Sequence, residues 1–377
     1  MSQHPSAWGR VVGITALVGL VGVAMNASCR SQTPPPNPVT LIPVVCSMPA
    51  PRVREGAVAN LRYDGWSRLL LKDYQSGFAA GNARDCMNQP VTWQDFPGRC
   101  EEYCDDPANE ARAEEDRCKA PQSSAVPQRA ISEDDVVVSR LTGALRLVWV
   151  ITDRFTNGEA VGPVALVEFM PDRVAVRAIG TLRNYPKRVR LRLEEVNSRR
   201  VLVSEGEVCP DEEDATTCRR AARLMLLRGN RFYPDVLRSV SGRCIGSARF
   251  EYARETTRPL PGSPGWRRSF QLTTSMQVRG EGVQVHENVL VQDNDPSHPD
   301  IPPRVFRRAG EDRAIYVLNG HFYASDPSLW SRVLSVEART SYIPDAGARR
   351  DGGRDAGDAG DGGEAERGDF ISPDSGF

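Results

Sequence analysis

Lysine is almost missing from this chain: Lys72, Lys119 and Lys187 are the only lysines among 48 basic residues in a sequence of 377. Abundant Ala, Gly, Pro, Val and Asp accompany that arginine bias, the signature of a GC-rich genome. Local arginine clusters therefore carry little weight as evidence for phosphate or DNA binding. Charge of one sign is also missing. With 49 acidic residues the formal net charge is −1, so no overall field favours nucleic acid or an anionic membrane surface. Histidine is scarce, and past the N-terminal segment only His286, His298 and His321 remain as proton carriers near neutral pH. The chain has no H-E-x-x-H, G-x-S-x-G, S-x-x-K, G-x-x-x-x-G-K-[ST] or G-x-G-x-x-G arrangement, which removes the commonest local signatures of metallopeptidases, serine hydrolases and nucleotide binders. A carboxylate-pair hydrolase survives this filter, because its Asp and Glu need only be near one another in space. Finally, there is no long apolar run. Val11 to Ala24 is uncharged, and at about 1.5 Å per residue it spans roughly 21 Å as a helix, short of the roughly 30 Å hydrocarbon core.

What is present begins with that run. Arg10 precedes it with no acidic residue upstream, and Met25-Asn26-Ala27-Ser28 brings small residues up to Cys29, the three-part layout of a secretory signal. The segment resembles a bacterial lipoprotein signal, whose lipobox places small residues, here Ala27 and Ser28, before the lipidated Cys, here Cys29. The resemblance covers the first 29 residues. It implies a signal peptide over 1–28, lipidation of Cys29, a membrane partner through that anchor and a cell-envelope location. With Arg30 following the Cys, it implies the outer membrane. Cleavage near Ala27 to give a secreted protein, and an uncleaved anchor, are the alternatives. Pro34-Pro35-Pro36 and Pro38 make 29–38 a semi-rigid tether.

Setting Cys29 aside leaves Cys46, Cys86, Cys100, Cys104, Cys118, Cys209, Cys218 and Cys244, an even set consistent with four bridges in an oxidising compartment. Cys100 and Cys104 lack the second close Cys or His pair that a zinc site needs, so no metal and no cofactor is expected. Five of the eight lie in a cysteine-rich stretch at 39–119 and three in 131–344. If all pair, an odd number of bridges must cross the Pro/Ser/Gln segment at 120–130. Cys244 is the expected crossing partner if Cys209 and Cys218 close their own short loop. Among Cys86, Cys100, Cys104 and Cys118, three connectivities stay open.

Period-2 alternation dominates 131–344. Leu145, Leu147, Trp149 and Ile151 alternate, as do Val189, Leu191 and Leu193. Phe270 to Val278 and Val283 to Val291 read as the two arms of a hairpin. Asn157-Gly158 and Asn319-Gly320 are two-residue turn signals. Helices are expected over Trp66 to Ala80, over Thr216 to Arg228 before Gly229, and after Asp326-Pro327, where Leu329, Trp330, Val333 and Leu334 form a stripe. The tail, 345–377, is Asp/Ala/Gly-rich and has too few apolar residues to offset chain entropy. The expected fold is α+β, mainly antiparallel sheet with a few peripheral helices and a disulfide-rich N-terminal part.

Three places concentrate ligand chemistry. Asp293-Asn294-Asp295, Ser297, His298 and Asp300 gather oxygen ligands but read more simply as a turn. Asp211 to Asp214 reads as a solvated acidic loop. The hairpin carries Gln271, Thr273, Ser275 and Gln277 on one arm and Gln284, His286 and Asn288 on the other. Such amides and hydroxyls suit a glycan, and they also describe the solvent side of any antiparallel sheet. The sequence thus points to a non-enzymatic envelope protein in a binding, scaffold or accessory role, with an envelope protein or a glycan as partner and no nucleic acid. The alternative is an extracytoplasmic hydrolase with acidic catalytic residues acting on cell-wall glycan or peptide.

Overall fold

The computed structural model describes residues 42–50, 61–93, 99–104, 113, 116, 118–120, 123–209, 218–260 and 262–340. The signal, Cys29, the Pro-rich tether, the acidic loop Asp211 to Asp214 and the tail at 345–377 lie outside the described residues.

Among the described residues, eighteen strands form two sheets. In chain order, the first sheet takes β1 (Cys46–Pro49), β2 (Val136–Arg140), β3 (Leu145–Val150), β4 (Asp153–Arg154), β5 (Ala160–Phe169), β6 (Arg173–Asn184), β7 (Lys187–Val196), β8 (Arg199–Val208), β9 (Arg219–Arg228) and β10 (Arg231–Pro234). The chain then enters the second sheet with β11 (Val236–Arg238) and β12 (Cys244–Ser247), and returns to the first for β13 (Arg249–Glu251). The second sheet is completed by β14 (Ala253–Pro259), β15 (Arg267–Arg279), β16 (Gly282–Asn294), β17 (Arg304–Leu318) and β18 (His321–Ala324). The helices are α1 (Tyr63–Leu70), α2 (Glu101–Cys104) and α3 (Leu329–Thr340).

The strand path of the first sheet runs β2-β3-β5-β6-β10-β9-β8-β7, and that of the second runs β12-β11-β18-β17-β16-β15-β14. Pairing is mostly antiparallel, as expected, but not wholly, since each sheet holds one parallel joint: β10 joins β6 in parallel, and β11 joins β18 in parallel. At the first of these joints a Cβ on Gly180 would lie 2.2 Å from the Phe232 carbonyl oxygen, so the close pairing requires glycine. The ends of the first sheet's path come together, where the Leu191 amide of β7 donates to Ser139 Oγ of β2 at 3.3 Å. Valines and leucines of β7, β8 and β9 pack on β11, β12 and β16–β18 to make the inter-sheet core, with Phe250 and Phe322 inside it. Farther along the second sheet α3 covers Phe270, Leu272, Val289 and Val291 with Leu329, Trp330, Val333 and Leu334.

All eight described cysteines are paired: Cys46–Cys86, Cys100–Cys244, Cys104–Cys118 and Cys209–Cys218. Cys100–Cys244 crosses from the cysteine-rich stretch into the sheet region. β1 joins that stretch to β6, while Trp66, Leu69 and Leu70 of α1 pack on Val148, Val167 and Ile179.

Two helix expectations are corrected. The one over Trp66 to Ala80 stops at Leu70, because Leu71 turns extended (φ −112°, ψ 127°), and Asp73 and Gly77 take positive φ. Phe78, within the expected helix, is exposed. The other, expected over Thr216 to Arg228, is replaced by the strand β9 at Arg219–Arg228, held between β8 and β10 with Ala221 to Leu226 all buried. Its Ala, Arg, Leu and Met favour a helix intrinsically, yet a run buried on both faces has no period to reveal which element it forms. Gly229 (φ +59°) turns β9 into β10 and does not cap a helix.

Candidate functional site

A cavity of about 850 Å³ opens where β13 and β14 lead the chain from one sheet to the other. Its walls hold charges at positions in phase with the apolar core. On β16 the inward row reads Val283, Val285, Glu287, Val289, Val291, a carboxylate in a file of valines. On β17, Arg313 shares its face with Ile315 and Val317. On β9, Arg223 interrupts an apolar run and pairs in register with Arg249 of β13. The helix α2 brings Glu102 and Tyr103 to the same cavity and is tied there by Cys100–Cys244 next to it in the chain.

The charges form two clusters. In the first, Glu159 Oε2 accepts from Arg183 Nε (2.7 Å) and Asn157 Nδ2 (2.9 Å), while Arg249 Nε stands 3.2 Å from Glu159 Oε1. Arg249 also donates to Glu251 at 2.6 Å. Arg223 is different. Its side chain is 8% exposed, its buried Nε has no hydrogen-bond partner, as is also true of Arg249, and its only acid within 4.0 Å among the described residues is Glu159, at 4.0 Å. The guanidinium rests on the Trp93 ring, 4.2 Å from its centroid. In the second cluster, Glu287 Oε1 accepts from Arg313 Nη2 (3.1 Å), and Oε2 accepts from the Leu329 amide at the start of α3 (2.7 Å). Here Arg313 Nε and Trp330 Nε1 are buried without partners.

Burial and charge act in opposite directions on these groups. Burial alone would raise the Glu159 pKa, but Arg249, Arg223 and Arg183 together with the Asn157 hydrogen bond bring it down to about 2. Burial lowers Arg223 to about 10, with help from like charge on Arg249 and Arg183 and against the pull of Glu159. For Glu102, burial wins over the Ser247 amide hydrogen bond and the nearby Arg254 and Arg313, and its pKa rises above the ordinary carboxylate value. Tyr103 is also raised, by burial and then by Glu102.

The Glu159 shift has a definite sign. With a folded pKa of about 2 against an ordinary 4.5, the cluster's stabilisation is fully present above the unfolded value and is lost as the pH falls toward 2. The thermal midpoint should drop through that window. In Glu159→Gln the drop should be shallower, and the variant should be less stable than the parent at pH 7, because three guanidiniums then lose their shared counter-ion. Calorimetric scans from pH 7 to pH 2 read both effects.

Of the ligand-face residues expected from sequence, Gln271 and Thr273 border this cavity. Gln284, His286 and Asn288 do not; they stand across from Gln277, Ser275 and Thr273 on the outer face, where His286 Nδ1 meets Asp312 Oδ1 at 2.8 Å. In the Asp293 to Asp300 segment Asp293 and Asn294 end β16 and the rest turns; Asp293 accepts two bonds from Arg268, and Asp295 accepts from the Ser297 amide and pairs with His298. Glu207, Cys209 and Cys218 cluster closely enough to hold a metal ion, but the two sulfurs are bonded to each other and offer no thiolate. Sequence reading missed Glu159, Arg183, Arg223, Arg249, Glu287, Arg313 and Trp330. A charge in phase with an apolar row was the available signal at Arg223, Glu287 and Arg313. Compared with protein-family models, with curated proteins and with solved structures, the chain matches none.

Proposed function

We propose that this chain is an extracytoplasmic, lipid-anchored binding protein that holds an anionic ligand in the cavity between its sheets without reacting with it. The observation that carries this reading is Arg223, a buried guanidinium whose Nε has no hydrogen-bond partner and whose ion pair to Glu159 is stretched to 4.0 Å. Burying a charge that is only partly compensated is costly, and a fold that keeps one beside a cavity of this size has the properties of an oxyanion receptor. The disulfides suit an oxidising compartment, and the lipobox-like segment ending at Cys29 supports anchoring in the envelope, in the outer membrane given Arg30. Intact mass of membrane-extracted protein should show acyl additions that Cys29→Ala removes. An unmodified N-terminus at Ser28 rejects the anchor.

The hydrolase alternative needs a base, and Glu159 is poorly suited to that role. A carboxylate at about 2, already bonded to Arg183 and Asn157, has little affinity for a proton at neutral pH. Binding is tested on the full chain by thermal melts with millimolar inorganic phosphate or acetate against chloride at equal ionic strength. A midpoint that climbs only with the oxyanions supports the reading, since ligand at 100 times Kd adds about 2.7 kcal/mol. Identical melts in all three salts reject it.

A further inference from the structure

We infer that the acidic end of this chain's own tail, Asp355 to Asp374, docks by charge on a cationic patch at the start of β17. That strand begins Arg304-Val305-Phe306-Arg307-Arg308, all five exposed, and its alternation with the core sets in only farther along, at Arg313, Ile315 and Val317. Arg267 of β15 stands at the same end of the sheet, since it opposes Asn294 of β16 while Arg304 opposes the neighbouring Asp293. Asp293 is already taken. It pairs with Arg268, whose guanidinium lies 3.8 Å from the centroid of the Phe306 ring. Arg267, Arg304, Arg307 and Arg308 have no acidic partner among the described residues. With Val305 and Phe306 exposed between them, the patch fits a segment of acids interspersed with apolar side chains.

The chain itself contains such a segment. The tail at 345–377 has nine acidic residues and four arginines, so a chain of net charge −1 divides into a body of +4 and a tail of −5. From Asp355 to Asp374 seven acids face Arg367 alone, with Phe370-Ile371 set between Asp369 and Asp374. The helix that leads into the tail is close by. α3 covers Phe270 and Val291, and Val291 opposes Arg307 in the pairing of β16 with β17, so α3 packs one strand away from the patch. Asp355 follows Thr340 by 15 residues, a reach of up to about 50 Å. A tethered segment meets its target at an effective concentration near millimolar, which favours it over a free polyanion. The attraction acts over about 10 Å at 0.1 M salt and about 3 Å at 1 M. Docking is therefore salt-sensitive and asks for no fold in the tail.

Phenylglyoxal modification of arginines in the full chain, read residue by residue by mass spectrometry, tests the docking. Arg304, Arg307 and Arg308 should react several-fold more slowly at about 20 mM salt than at about 1 M, relative to exposed Arg190 of β7 and Arg199 of β8 in the same sample. A full-length variant combining Asp361→Asn, Glu364→Gln, Glu366→Gln and Asp369→Asn should bring the patch at low salt up to its high-salt rate. The two reference arginines correct for any change in the fold as a whole. Equal patch rates in the parent and the variant at low salt overturn the proposal. Protection that grows with protein concentration also overturns it, by assigning the patch to the tail of a second copy.

Discussion

Arg223→Met should abolish the response to oxyanions and at the same time raise the melting temperature of the ligand-free protein. The two effects share one cause. A guanidinium with an unpaired Nε and no acid closer than 4.0 Å is a standing cost to the fold, and a side chain of similar length and no charge removes it. Taking this charge out of the interior removes its desolvation cost while Glu159 keeps Arg183 and Arg249, and each kcal/mol so gained is about 2–4 °C for a domain of this size. Loss of a charge-assisted hydrogen bond costs about 1.5–3 kcal/mol, so affinity should fall at least about tenfold. Scanning calorimetry with and without ligand reads both quantities. A destabilised variant that still binds would assign Arg223 to the fold and remove it from the site. Arg223→Lys, which keeps the charge and loses the planar fork, should fall between the two.

The second large effect belongs to the bridge that crosses the chain. The double variant Cys100→Ser, Cys244→Ser opens a link of sequence separation 144, whereas Cys209→Ser, Cys218→Ser opens one of separation 9. Loop-closure entropy makes the first about 2 kcal/mol costlier than the second, within a typical range of about 2–4 kcal/mol for a native bridge. The functional contrast should be sharper. Cys100 immediately precedes α2, so losing its bond to β12 releases Glu102 and Tyr103 from the cavity wall. Anion affinity should weaken in the first variant and hold in the second. Urea midpoints give the stability difference and titration gives the affinity. Equal affinity in the two variants would mean that α2 takes no part in holding the ligand.

Much of the sheet architecture was legible because alternation carries its own register. The Phe270–Val291 hairpin lies within β15 and β16, paired across Gly280-Glu281, and Asn319-Gly320 turns β17 into β18 with positive φ at both residues. The β7–β8 hairpin was harder to see, since its turn uses Asn197 and Ser198, both at positive φ, without the glycine that normally marks such a turn. β9 was read as a helix for lack of a period. The site was the least legible part, because a charged residue in an apolar file looks like noise until its partners are known. Those partners, Glu159 for Arg223 and Glu287 for Arg313, lie 64 and 26 residues away in sequence.

The coming together of β2 and β7 bears on how copies of this chain behave when crowded. An open sheet offers two rows of unpaired amides and carbonyls to any neighbour, a template for runaway strand addition. In the first sheet the terminal strands face each other, with the Leu191 amide taken up by Ser139. In the second, β12 lies against α2, and the other end is β14, whose Arg254, Glu255, Arg258 and Pro259 oppose docking by an incoming strand. Many copies sharing a small area would therefore stay separate at their sheet edges. Self-association, where it occurs, would have to use side-chain surfaces, which leaves each cavity open to its own ligand.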